Sequence, residues 1–140
     1  LALVSDDAFF TLAYCHSGTS PDGGSTYALP RTVGLKKAME IALLGDRFTA
    51  QDALDWGMVN RIVPAADLEA ETDKLAARLA KAAGHANAEA KALLNASFHN
   101  SLAEQLDAEK AAFIRNTRTG DFYEGVTAFT EKRKPGFTGK

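Results

Sequence analysis

Asp22 stands directly before Gly23 and Gly24 in the stretch Ser20-Pro21-Asp22-Gly23-Gly24-Ser25, where the chain reads as a loop entering a helix. Glycines let the backbone come close to a ligand and leave amide N–H groups free at a helix start. A carboxylate on such a turn is held by backbone rather than by a long flexible stem, which is how a fixed acid or base is presented. Pro, Asp and Gly also favour turns for separate reasons, so the residues alone leave Asp22 open between proton transfer and loop capping. Tyr14, a few residues upstream, suits either a pocket lining or a core position with a satisfied hydroxyl. His16 has no visible partner and reads as structural or exposed, and Cys15 reads as a buried small residue. His85 and His99 sit at polar helix ends and read as surface.

The elements that must position these residues fall into two parts. Residues 1–4 form a short apolar run suited to a buried strand end, Ser5-Asp6-Asp7 is a turn, and residues 9–14 read as a second extended piece. A helix is expected from about Gly24, breaking near Pro30. Leu35–Leu44 reads as a helix with Leu35, Met39 and Leu43 on one face and Gly45 as its stop. Thr49 is a good N-cap for a short helix ending at Gly57, with Trp56 as core filling, and residues 58–63 alternate like a strand closed by Pro64. Beyond that the chain reads as helical. Asp67 is expected to cap a helix carrying Leu68, Leu75 and Leu79, and residues 88–98 bring Leu93, Leu94 and Phe98 together. Ser101 with Glu104 fits a capping box, and Asp121 is expected to cap a last helix running to Arg133. The domain reading is therefore 1–64 and 65–140.

Several segments in this order carry a resemblance: Ala8-Phe9-Phe10, the Pro21-Asp22-Gly23-Gly24 loop, Leu29-Pro30-Arg31-Thr32-Val33-Gly34, Ala38 through Arg47, and Ala50 through Pro64. The series resembles the enoyl-CoA hydratase/isomerase (crotonase) superfamily, from Leu1 to Lys140, and corresponds to the C-terminal half or so of such a protein. The resemblance implies an α/β fold: residues 1–64 as the end of a crotonase-type ββα spiral core, and residues 65–140 as a helical trimerisation layer. It implies an acyl-CoA substrate, with coenzyme A present only as part of that substrate and no separate cofactor or metal. It also implies a homo-trimer or hexamer, with the two oxyanion-hole amides upstream of Leu1. On that reading the chain is a truncated piece, expected to be oligomeric and catalytically inactive by itself. Beside it stand two alternatives, an inactive CoA-binding relative and a fragment serving only as an oligomeric scaffold.

The resemblance also assigns roles. Hydratases of the family usually use two glutamates, and the second falls here at Tyr14, a neutral phenol that cannot act as a carboxylate base at neutral pH. Asp22 matches the loop aspartate used in dienoyl-CoA isomerases, ring-epoxide isomerases of phenylacetate breakdown and chlorobenzoyl-CoA dehalogenases. Asp22 is thus the expected catalytic carboxylate, Tyr14 and Gly23 the expected substrate-pocket residues, and the chemistry tilts toward isomerisation. The segments Leu43-Leu44-Gly45, Asp55-Trp56-Gly57-Met58 and Gly136-Phe137-Thr138-Gly139-Lys140 add likeness to the ring-epoxide isomerases. The run Glu124 through Pro135 resembles the closing helix whose aromatic and lysine contact the CoA adenine and phosphates. This makes Phe129 and Lys132, with Phe113 on the preceding helix, the expected CoA contacts; as residues alone they also fit core phenylalanines and a solvated basic helix end.

Composition narrows the classes. A chain of 140 residues, 46% apolar and 24% charged, is that of a soluble globular domain with its own core. A net charge of −2 argues against nucleic acid, which demands a concentrated basic surface. One cysteine permits no internal disulfide and suits a reducing cytoplasm, and no apolar run is long enough to span a bilayer.

Overall fold

In the computed structural model, which describes residues 1–140, the chain divides into two compact units, Leu1–Asp73 and Lys74–Lys140.

The first unit is built on two short strand pairs. Strand β1 (Leu3–Ser5) runs parallel to β4 (Arg61–Val63), with Val4 opposite Ile62; β2 (Phe9–Phe10) runs antiparallel to β3 (Phe48–Thr49), with Phe10 opposite Phe48. Helices α1 (Ser25–Val33), α2 (Leu35–Leu44) and α3 (Ala50–Asp55) complete it. Ile41, Phe48, Ala53 and Val59 are buried together, with Val4, Phe10, Leu29 and Trp56 packed around them. Phe10 stacks on Phe48 at 5.5 Å between ring centroids, and Trp56 tilts against the same ring at 5.1 Å, the core-filling place expected of it.

Three local expectations change on contact with this packing. The extended piece after Phe9 stops at Phe10, because β3 offers only two residues to pair with, and Ala13–Ser17 winds into a 3-10 turn closed by Gly18 in the left-handed region. Pro30 does not break α1, which runs on to Val33. Its fixed φ is helical, and what it denies the helix is one N–H for the carbonyl of the exposed Thr26. The expected strand 58–63 is shorter, because the N–H groups of Met58 and Val59 turn back to the Ala53 carbonyl at 2.8 and 3.3 Å and close α3. Other local readings hold. Thr49 and Asp52 form a full capping box on α3, and Gly45 stops α2 with φ +68°. Asp67, expected to cap the next helix, instead ends a 3-10 turn that leads directly into α4 (Leu68–Ala80).

The second unit carries α5 (Gly84–Ala96), α6 (Leu102–Asn116) and α7 (Gly120–Thr130). Ser101 and Glu104 make the expected capping box at the start of α6. Asp121 does not cap α7. Thr119 does, through its hydroxyl to the Phe122 N–H, while Asp121 sits inside the first turn, buried, and accepts from the N–H groups of Thr138 and Gly139. Nor does α7 reach Arg133. It ends at Thr130 in a Schellman motif, with Lys132 N–H on the Phe129 carbonyl and Arg133 N–H on the Ala128 carbonyl. Lys132 takes the left-handed position usually given to glycine, at φ +54°.

Arg133 makes two bonds to Glu124, at 2.6 and 2.9 Å, and the Gly136 N–H adds a third at 2.7 Å. The Arg133 guanidinium first, and that N–H second, hold the Glu124 carboxyl down at about 2 instead of the ordinary 4.5. A carboxyl lowered by folding stabilises above its unfolded value and loses that contribution as pH falls through the folded one. Glu124→Gln should therefore unfold at lower urea than wild type at neutral pH, with the difference shrinking between pH 4.5 and about 2. The pair is partly exposed, so added salt should reduce the gap. A gap that stays constant through that pH window would remove the ionic role.

Candidate functional site

The first unit brings Tyr14, Asp22 and Gly23 together. Asp22 sits on the exposed turn before α1, and its carbonyl accepts from the Ser25 N–H at 3.1 Å and the Ser25 hydroxyl at 2.7 Å. Gly23 (φ +60°) and Gly24 (φ +82°) both occupy the left-handed region, and Gly24 is the N-cap of α1. No other residue type takes two such positions in succession without strain, so the glycine pair is what swings Asp22 to its place.

Tyr14 comes from the 3-10 turn Ala13–Ser17, and its hydroxyl donates to Asp22 Oδ1 at 2.5 Å. A phenol donating to a carboxylate at this distance is a charge-assisted bond, stronger than a neutral one. That bond, and then the negative charge of Asp22, raise the Tyr14 phenol above its ordinary value of 10.0. The phenol therefore stays protonated at neutral pH and serves as a donor to the carboxylate.

Two apolar cavities flank the start of α1. One, of about 280 Å³, is lined by residues including Phe10, Leu29, Ile41, Phe48 and Met58; the other, of about 240 Å³, by residues including Pro30, Leu35, Met39 and Leu43. Leu12, Ser25 and Leu29 belong to both. Ser25 is not among the residues expected from sequence, although a small hydroxyl residue just after a glycine N-cap is a recognisable signal. It ties the carboxylate's turn to the cavity walls. Tyr14 lies outside both linings, its hydroxyl engaged by Asp22.

The expected CoA contacts Phe113, Phe129 and Lys132 all belong to the second unit. Phe129 is 87% exposed at the mouth of a cavity of about 340 Å³, whose lining includes His85, Phe122, Val126 and Phe137. Phe113 is also exposed and meets Phe122 edge to face at 6.4 Å. Lys132 follows Phe129 by three residues, and its side chain leaves from the fixed backbone of the Schellman motif.

A carboxylate fixed at a glycine helix start, with a phenol on it and apolar cavities beside it, defines a site fitted to acid–base chemistry on a partly apolar ligand. The enoyl-CoA hydratase/isomerase family model matches residues 1–140, and the chain belongs to that family. The chain is 36% identical over its whole length to 1,2-epoxyphenylacetyl-CoA isomerase of Escherichia coli, covering 53% of that protein. It is 44% identical over 120 residues to the mitochondrial enoyl-CoA hydratase of Pongo abelii, covering 86% of this chain and 41% of that one. The crystal structure of an enoyl-CoA hydratase from Polaromonas sp. JS666 superposes with a TM-score of 0.92 at 34% identity, over 97% of this chain and 53% of that one. The chain thus spans about half the length of the relatives it matches, and its mixed helix-and-strand architecture is the crotonase fold over that span.

Proposed function

We propose that the protein acts on an acyl-CoA thioester and moves a double bond by proton transfer through the thioester enolate, with Asp22 as the acid/base. The observation that carries this reading is the Tyr14–Asp22 bond at 2.5 Å. It leaves the turn with one carboxylate and a neutral donor, where ordinary water addition in the family uses a second glutamate. Asp22 takes a proton from one carbon of the acyl chain, the electron pair moves onto the thioester oxygen, and the same carboxyl returns the proton at another carbon. No group is consumed. The E. coli relative, an isomerase by name, matches over the whole of this chain, which supports the tilt toward isomerisation.

The apolar cavities beside Ser25 suit a fatty or aromatic acyl group in a catabolic reaction, with Gly23 close to it. Phe129 and Phe113 offer faces for the adenine and Lys132 a charge for the phosphates, coenzyme A arriving with the substrate. The exposed Leu94, Phe98, Leu106, Ile114 and Val126 suit the packing of a trimer or hexamer, and a single cysteine suits the cytoplasm. No helix is long and apolar enough to cross a membrane.

The test is to assay the full-length protein for hydration of crotonyl-CoA and for isomerisation of a β,γ-unsaturated acyl-CoA. Isomerisation should be the faster reaction. Hydration much the faster would overturn the assignment, and acyl-CoA binding with neither turnover would point to an inactive CoA-binding relative.

A further inference from the structure

We propose that Gly45 is a positioning residue for the Tyr14–Asp22 pair: its bare Cα makes room for the turn that carries Tyr14, and its carbonyl anchors that turn. The catalytic consequence rests on the assignment of Asp22 above, whereas the anchoring rests on geometry alone. Gly45 is buried at the end of α2, at φ +68°, with its N–H on the Ile41 carbonyl at 3.2 Å. Its own carbonyl therefore projects beyond the helix and is free of the helix ladder.

Two side chains from the segment bearing Tyr14 use it. The Thr11 hydroxyl donates to the Gly45 carbonyl at 2.9 Å, and the His16 ring approaches the same oxygen through Nε2, as a donor, at 3.3 Å. Tyr14 lies between these two anchors in the chain, and its hydroxyl bonds Asp22. The turn is also closed internally, by the Gly18 N–H on the Cys15 carbonyl and the Thr19 N–H on the Tyr14 carbonyl, each at 3.2 Å. A Cβ on Gly45 would lie 2.6 Å from Cys15 Sγ and 2.7 Å from His16 Nε2. Neither contact is tolerable, and the backbone there already disfavours any side chain. Cys15 and His16 follow Tyr14 directly, so displacing them moves the phenol away from the carboxylate. Gly45 thus does two jobs at once, as the stop of α2 and as the seat of the turn that holds the site's donor.

The test uses Gly45→Ala, Thr11→Val and Tyr14→Phe in the full-length protein, singly and in combination. Gly45→Ala should lower kcat about tenfold or more with KM little changed, the scale on which a small misplacement costs rate. Thr11→Val should lower it less, and Thr11→Ser should restore it. In the Tyr14→Phe background, Gly45→Ala should add little, because both act through one contact. A second readout needs no turnover: the ¹³Cζ shift of Tyr14 followed against pH, identified by its loss in Tyr14→Phe. The charged group acting on that phenol is Asp22, so both anchor variants should bring its ionisation down toward the ordinary tyrosine range. If Gly45→Ala does not fold, Thr11→Val carries both readouts. Strictly additive losses, or an unmoved Tyr14 titration in a folded anchor variant, would overturn the proposal. A wild type without acyl-CoA turnover but with the titration shifted as described would instead sink the assignment of function and leave the anchoring intact.

Discussion

Asp22→Asn should lower turnover of the full-length protein by about 10²-fold or more while acyl-CoA binding changes little. The substitution keeps the size of the side chain and its ability to form the turn. The Asp22 carbonyl still receives the Ser25 N–H and hydroxyl, so α1 should start where it does now. What disappears is the anionic oxygen proposed to take and return a proton. The amide also changes the Tyr14 contact, since a neutral oxygen replaces the charged acceptor of a short bond. The control is Tyr14→Phe, which leaves the carboxylate in place and removes only its donor; its loss should be smaller than that of Asp22→Asn. Full-length Asp22→Asn with near-wild-type turnover would return Asp22 to the role of a turn residue. Equal losses in both variants would make the phenol a partner in proton transfer.

Much of this site was legible because its signals are local. A carboxylate before two glycines encodes a turn with left-handed positions, and the structure places both glycines there. Thr49 with Asp52 and Ser101 with Glu104 are capping boxes written within four residues, and both form. The sequence misleads where a residue's partner is distant along the chain or where one local rule outweighs its context. Pro30 reads as a break by a rule that counts its missing N–H, but in an exposed helix the orphaned carbonyl can turn to water. The apolar pattern after Phe9 suggests a longer strand, whereas its length is set by the two residues that β3 offers from 38 positions away. Gly45 reads as a helix stop, which it is. Its second role needs Thr11 and His16 brought back across the chain, and spacing carries no trace of that.

Asp121 shows the same limit with a larger consequence for stability. As a sequence, an aspartate near a helix start reads as a cap. In the fold the residue is 3% exposed and its carboxylate bonds the Thr138 N–H at 2.7 Å and the Gly139 N–H at 3.0 Å, while its own N–H bonds the Lys140 carbonyl at 3.0 Å. The final residues are thereby tied to the first turn of α7, and Phe137 is held in the wall of the cavity beside Phe129. Asp121→Ala would leave two backbone donors without their acceptor and release the tail. Bonds to charged acceptors, and the cost of leaving donors unmade, place the destabilisation at about 1–3 kcal/mol. It should appear as a lower urea midpoint at unchanged slope. Asp121→Asn keeps one carbonyl oxygen for Thr138 and should fall between the two. Trypsin gives an independent reading, because the bonds after Lys132 and Arg133 lie just before the tethered residues and should be cut sooner once the tail is loose, whereas Pro135 protects the bond after Lys134. Asp121→Ala with wild-type midpoint and wild-type cleavage would show that the tail is held by Phe137 and by the Glu124 bond to Gly136 instead.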